Sequence, residues 1–157
     1  MNPQSEAKAG SRPYISKALA AWLALGLGSL GVHRLYVYGW KDRWAWLHPW
    51  PTLAGLYGVQ RMNELGQDDH LAWVLMPLLG LMLSIAMLQG IIWGLQNDEQ
   101  WNARHNPELP VRRSGWAAVI AVIACLFLGG TALMSTIAFS AQRYFESQAE
   151  AARALSQ

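Results

Sequence analysis

The stretch Leu71-Ala-Trp-Val-Leu-Met-Pro-Leu-Leu-Gly80-Leu-Met-Leu-Ser-Ile-Ala-Met-Leu-Gln-Gly90-Ile-Ile-Trp-Gly-Leu95 runs for 25 residues without a charged side chain. Wound as an α-helix it reaches roughly 37 Å, more than the roughly 30 Å hydrocarbon core of a bilayer. Residues 71–95 therefore read as a transmembrane helix, the most secure one in the chain. Pro77 lies inside it, where lipid tolerates proline if neighbouring helices satisfy the freed carbonyl. A second uncharged run, Trp116 to about Ala141, is announced by Arg112 and Arg113 and followed by Arg143 and Tyr144. Such flanks suit interfacial anchors, so 115–141 is predicted as another transmembrane helix. The segments 63–70 and 96–114 are polar, rich in turn formers, and read as loops.

Toward the amino terminus the spans become shorter. Ile15 to about Val32 carries one charge, Lys17, at its start, where it can snorkel to the headgroups. The reach of that segment, roughly 27 Å, is near the lower limit for crossing. Trp44 to Gln60 is uncharged between Arg43 and Arg61 but contains His48, Pro49 and Pro51. Trp44, Trp46 and Trp50 predict an interfacial approach followed by a helix from about Pro51, and the segment can span, re-enter or lie in the interface. The fold class is an all-α polytopic membrane protein of three or four transmembrane helices. A polar disordered tail is expected over 1–13, and a solvated helical tail over 142–157, which has no Gly or Pro. The basic residues divide six and six across the membrane in either count, so the positive-inside rule gives a tie. Segment lengths then favour four spans with both termini on one side.

Composition points the same way. Of 157 residues 53% are apolar and 14% charged, against about 25% charged in soluble chains. Nine Trp and five Tyr supply the amphipathic rings that gather at membrane boundaries. A net charge of +2, with the basic residues scattered, leaves no nucleic-acid footprint. Cys125 is the single cysteine, which rules out an internal disulfide and suits a small packing residue. The polar start before Pro13 is unlike a secretory signal, so the first apolar segment is expected to be retained.

The end of the first apolar segment reads Gly28-Ser-Leu-Gly31-Val-His33-Arg34-Leu-Tyr36-Val-Tyr-Gly39. It resembles the signature of the TM-two domain family, a paired-transmembrane-helix module with a basic residue opening an Ala/Leu-rich helix, then Gly-x-x-Gly-x-His-Arg-Phe-Tyr-x-Gly, then a second helix. Lys17, Gly28, Gly31, His33, Arg34 and Tyr36 match. Leu35 stands in place of Phe, and the last glycine is displaced from position 38 to Gly39. The resemblance covers residues 14–62 and implies a membrane module found in varied contexts, without a settled activity. Read physically, the glycines permit a bend or a close backbone approach. His33 and Arg34 suit an interfacial clasp, with lipid-headgroup recognition and a proton-linked role as alternatives.

Small residues form further packing surfaces: Ala117, Ala121, Cys125 and Gly129 at four-residue spacing, and the pair Gly90 and Gly94. They are expected to meet helices of this chain or of another copy. The four histidines show no helical ligand spacing, so neither a metal nor a cofactor is expected. Asp68, Asp69 and His70 form a local cluster that could bind a hard cation, but a solvated loop with a helix N-cap is the commoner reading. These residues predict a structural or interaction module of the cell (inner) membrane, an accessory subunit or an oligomer, and not an enzyme. Its expected partners are the lipid bilayer and another membrane protein or a second copy, with no nucleic acid. The alternative is a small transport or pore-forming protein whose lumen is polar through Ser84, Gln89, Thr131, Ser135 and Thr136.

Overall fold

Capping side chains set most of the helix starts in the computed structural model, which describes residues 13–156 and is all-helical there. The helices are α1 (Lys17–Leu27), α2 (Val32–Tyr38), α3 (Arg43–Leu47), α4 (Pro49–Leu65), α5 (His70–Leu95), α6 (Asp98–His105) and α7 (Trp116–Leu155), with a 3-10 turn at Gly28–Leu30. Ser16, Asp42, Asp69 and Asn97 each accept a backbone N–H in the first turn of the helix that follows. The predicted tail at 1–13 lies outside the described residues except for Pro13.

Two helices, α5 and α7, are long and apolar enough to cross a membrane. They lie antiparallel, and their small residues mark the seam. A methyl group added at Gly94 would strike Val122, one at Gly90 would strike Cys125, and one at Gly129 would strike Met87. Close backbone approach through small residues is how helices associate where lipid removes the hydrophobic drive. On its other flank α5 receives α4, also antiparallel, through Gly55 against Leu79 and Gly58 against Leu75 and Met76.

The first apolar segment does not run the length of α5. It descends as α1 from Lys17, whose ammonium donates to the carbonyl of Gln96 at 2.8 Å. Ala24 packs on Gly90 and Gly28 on Ala86. There the chain reverses, and α2 climbs back to place His33 beside Gln89, Tyr38 beside Trp93 and the Tyr36 hydroxyl on the Ser16 amide. From Lys17 to Leu30 this arm reaches only roughly 22 Å. The expected full span over Ile15–Val32 is thus corrected to a helical hairpin that turns part-way along α5. Its reversal sits at Gly31, with φ +79° and the Ala45 carbonyl packed where a side chain would go. Only glycine meets both demands without strain.

The second apolar segment is longer than expected. The helix starts at Pro49 rather than Pro51, and α3 precedes it with only His48 between, itself in helical geometry. Together 43–65 make a broken helix of roughly 34 Å. Prolines at 49 and 51, either side of Trp50, remove amide donors there, and Pro49 takes the first position of α4. The loops are also shorter than expected, since α4 runs to Leu65 and α5 starts at His70. Residues 96–114 contain α6, and α7 runs without interruption through 142–155.

The core of the Lys17 end is aromatic, with Ala20, Val37, Trp93 and Trp101 clustered and Ile15 and Tyr36 packed against them. Trp101 donates its indole N–H to the Ile15 carbonyl at 2.9 Å. Asn106 brackets the same residue, accepting from its amide and donating to its carbonyl. Asn102 accepts from the Tyr14 hydroxyl at 2.9 Å. The segment between α5 and α7 is thus a structured clamp on the start of α1.

Candidate functional site

The Gly-x-x-Gly-x-His-Arg-x-Tyr residues sit at the hairpin turn, and the fold points each of them inward. Two left-handed or tight-approach glycines make the reversal. Gly28 is held against Ala86, with His33 Nδ1 close by, and Gly31 against Ala45. Turning α2 back along α1 buries His33 completely, and its Nε2 lies 2.6 Å from Gln89 Oε1. The imidazole also lies against Trp93 and meets His48 edge to face, with ring centroids 5.6 Å apart. His48 places Nδ1 2.6 Å from the Trp44 carbonyl.

The Trp44 carbonyl can only accept, so His48 carries its proton on Nδ1, while the Gln89 amide can pair with His33 Nε2 as acceptor or donor. The opposite nitrogens, His33 Nδ1 and His48 Nε2, are buried with no partner in the chain. Thr52 donates its hydroxyl to the Ser29 carbonyl at 2.6 Å and ties α4 to the hairpin tip.

Arg34 is occupied as well. Its Nε lies 2.8 Å from Asp42 Oδ2, and its guanidinium lies over the Tyr38 ring at 5.1 Å. Burial raises the cost of charge on Asp42, but the hydrogen bond and charge of Arg34 outweigh it and hold the carboxyl below its usual range. The same Asp42 caps α3 through the Trp44 amide. Asp42 thus engages the Arg34 guanidinium through Nε. Tyr36 accepts from Ser16 at 2.8 Å and fastens α2 to the start of α1.

Lys17 does not snorkel. It is 7% exposed, and its ammonium lies 2.6 Å from Asp98 Oδ1. Burial pushes the Asp98 carboxyl up, while Lys17 and Ser114 more than compensate and leave it lowered. At the opposite end Arg61 grips Asp69 with two nitrogens, at 2.7 and 3.1 Å, and keeps that carboxyl below its ordinary value.

The small-residue stripe on α7 is shifted at one end. Ala121, Cys125 and Gly129 are buried, but Ala117 is exposed and Ala118 takes its place. The Ala117 carbonyl instead accepts the Trp22 indole N–H. Cys125 faces Ala21 of α1, so the stripe and the pair Gly90 and Gly94 pack helices of this chain. Of the residues of the pore alternative, Ser135 and Thr136 line one cleft between α5 and α7. Thr131 and Thr136 bond back to carbonyls of their own helix, Ser84 to Gly80, and Gln89 holds His33. Among the described residues no three His, Cys, Asp or Glu side chains come together as a metal-holding group.

Gln89, read from sequence as a lumen residue of the pore alternative, is the one amide inside an otherwise apolar helix and has a buried partner in His33. Several other residues of the site were not singled out from sequence. Thr52, Gly55 and Gly58 share a three-residue spacing that marks a packing face. Asn97, followed by acidic residues in the first turn and Arg104 and His105 in the last, carries the full set of helix-end signals. Asp42 and Asp98 gave no signal beyond charge. In comparisons with protein-family profiles, curated proteins and solved structures, the chain matches none.

Proposed function

We propose that this chain is an integral protein of the cell (inner) membrane that serves as a structural or interaction module, built on a TM-two-like unit at 14–62, and that it catalyses no reaction. One observation carries the reading. Each polar side chain of the motif has a partner within the chain, Lys17 in Asp98, His33 in Gln89, Arg34 in Asp42 and Tyr36 in Ser16, and only the second ring nitrogen of His33 is left over. A site meant to receive a substrate keeps convergent polar groups open to it. Here they hold a short hairpin in place.

In this reading the broken helix 43–65, α5 and α7 cross the bilayer, and the α1–α2 hairpin re-enters from the Lys17 end. Irregular backbone at membrane depth is tolerated where protein covers it, as it is at Gly28–Gly31. The tie in basic residues then disappears. Among the described residues Lys17, Arg34, Lys41, Arg43, Arg104, Arg112 and Arg113 lie toward the Lys17 end, and Arg61, Arg143 and Arg153 toward the other, seven against three. The positive-inside rule places the Lys17 end in the cytoplasm.

The test is reconstitution in liposomes with ion conductance and solute flux as readouts, beside native electrophoresis of the gently solubilised protein. A silent bilayer with a defined assembly, homomeric or with a co-purifying membrane protein, is the expected result. A conductance or flux that Gln89→Leu abolishes would overturn the reading in favour of a transporter.

A further inference from the structure

The groove between α5 and α7 is filled along only half its length. Near Lys17 it is occupied by α1, with Ala21 and Ala24 set against Gly90, Gly94 and Cys125. Beyond the hairpin tip at Gly28 the same stripe continues on both helices, through Leu83, Gly80 and Met76 on α5 and Ala132, Thr136 and Phe139 on α7. There it leaves an apolar cleft of about 200 Å³. The Thr136 hydroxyl is bonded to the Ala132 carbonyl, and Ser135 is the other hydroxyl on an otherwise apolar wall.

At the far end of this cleft stands a cation. The Arg143 guanidinium lies 5.1 Å from the Trp73 ring and 5.3 Å from that of Phe139, bridging the two helices one turn above the cleft. Its Nη1 contacts Glu146 at 2.6 Å, while its Nε is buried without a partner.

We infer that this cleft and Arg143 form a binding site for one anionic phospholipid of the leaflet away from Lys17. The acyl chain lies between α5 and α7 and ends at the hairpin tip, and the phosphate sits on Arg143. The inference rests on the membrane reading above. A spanning helix of a second copy does not fit the same groove, because a straight helix laid in it runs on into the space that α1 holds. An acyl chain of one leaflet needs only half the bilayer and stops where the hairpin begins. Arg143 and the rings beneath it stand where a headgroup meets the end of the cleft, and a guanidinium fork suits a phosphate. Glu146 competes for the same guanidinium.

The experiment uses full-length protein extracted from membranes in mild detergent, with thermal unfolding and native mass spectrometry read as phosphatidylglycerol is added, and phosphatidylcholine and inorganic phosphate as controls. Wild type is expected to retain one phosphatidylglycerol and to unfold at a higher temperature with it. Arg143→Gln and the cleft-filling Ser135→Phe should each weaken retention at least about tenfold, a loss of roughly 1.4 kcal/mol. Glu146→Gln should strengthen it, an effect that a general loss of fold cannot imitate. Equal retention in wild type, Arg143→Gln and Ser135→Phe overturns the inference, as does equal protection by phosphatidylcholine or phosphate. A dimer that Ser135→Phe disrupts would assign the cleft to a second copy and overturn it too. A chain that needs no detergent for extraction fails the membrane reading itself, before any lipid is added.

Discussion

The Lys17 ammonium lies 2.6 Å from a carboxylate oxygen of Asp98, and it joins the first residue of α1 to the first residue of α6. Lys17 also donates to the Gln96 carbonyl, so one cation fixes the start of the hairpin to the end of α5. Asp98 in turn accepts from the Ser114 amide ahead of α7. The ends of four helices thus meet on one ion pair at the rim of the bundle.

Asp98→Asn leaves a buried ammonium without its counter-charge and should cost about 1–3 kcal/mol of stability at neutral pH. The sign with pH follows from the lowered carboxyl of Asp98. A depressed pKa contributes stability that is fully present above the unfolded value and is lost as pH falls through the folded one. Thermal unfolding in detergent should therefore separate wild type from Asp98→Asn at neutral pH and bring the two together below the ordinary carboxylate range. A gap that persists in acid would show that the amide disturbs packing rather than charge.

Two glycines of the first arm should respond in opposite directions to the same change. Gly31 has φ +79° and the Ala45 carbonyl against it, so Gly31→Ala must cost more than the roughly 1–2 kcal/mol of a left-handed backbone. Gly26 sits in the helical geometry of α1 with nothing within 4 Å of an added methyl. Gly26→Ala should be neutral or stabilise by up to about 1 kcal/mol. Equal effects of the two on melting temperature would deny the turn its special role.

The long apolar runs were legible in sequence because uncharged length is a direct measure of a helix in lipid, and the continuation of α7 into its tail followed from helix formers alone. The hairpin was not legible. Ile15–Val32 has the same composition whether it crosses or turns, and what decides is the contact between Gly31 and Ala45, which no local pattern encodes. For the motif the residue types were readable and their partners were not. Arg34 at the edge of an apolar run suggests phosphate as readily as Asp42, and only the return of the chain at Gly39 brings that carboxylate to it. Lys17 was misplaced for the same reason, since its partner lies on α6.

Topology gives the prediction that most directly separates a turning hairpin from a crossing helix. In the proposed arrangement, with α1–α2 re-entering, three crossings put the termini on opposite sides, contrary to the shared side that segment lengths favoured. Reporter fusions after Gln4 and after Ser156 should report cytoplasm for the first and the opposite compartment for the second. A shared compartment would restore a fourth crossing.

Arg34 and Asp42 decide whether the motif is a clasp or a receptor. As a clasp, the pair closes the loop around Gly39 and is 16% and 10% exposed, buried enough for charge to matter and open enough for water to temper it. Arg34→Lys keeps the charge but loses the planar fork that both holds Asp42 and lies over Tyr38, so it should destabilise by about 1 kcal/mol. Asp42→Asn should cost a similar amount, and the double variant less than the sum, because each substitution removes the same interaction. Thermal unfolding of the four proteins in detergent, with and without phosphatidylglycerol, measures this directly. Additive losses, or a penalty for Arg34→Lys that appears only when anionic lipid is present, would return Arg34 to the role of a headgroup ligand.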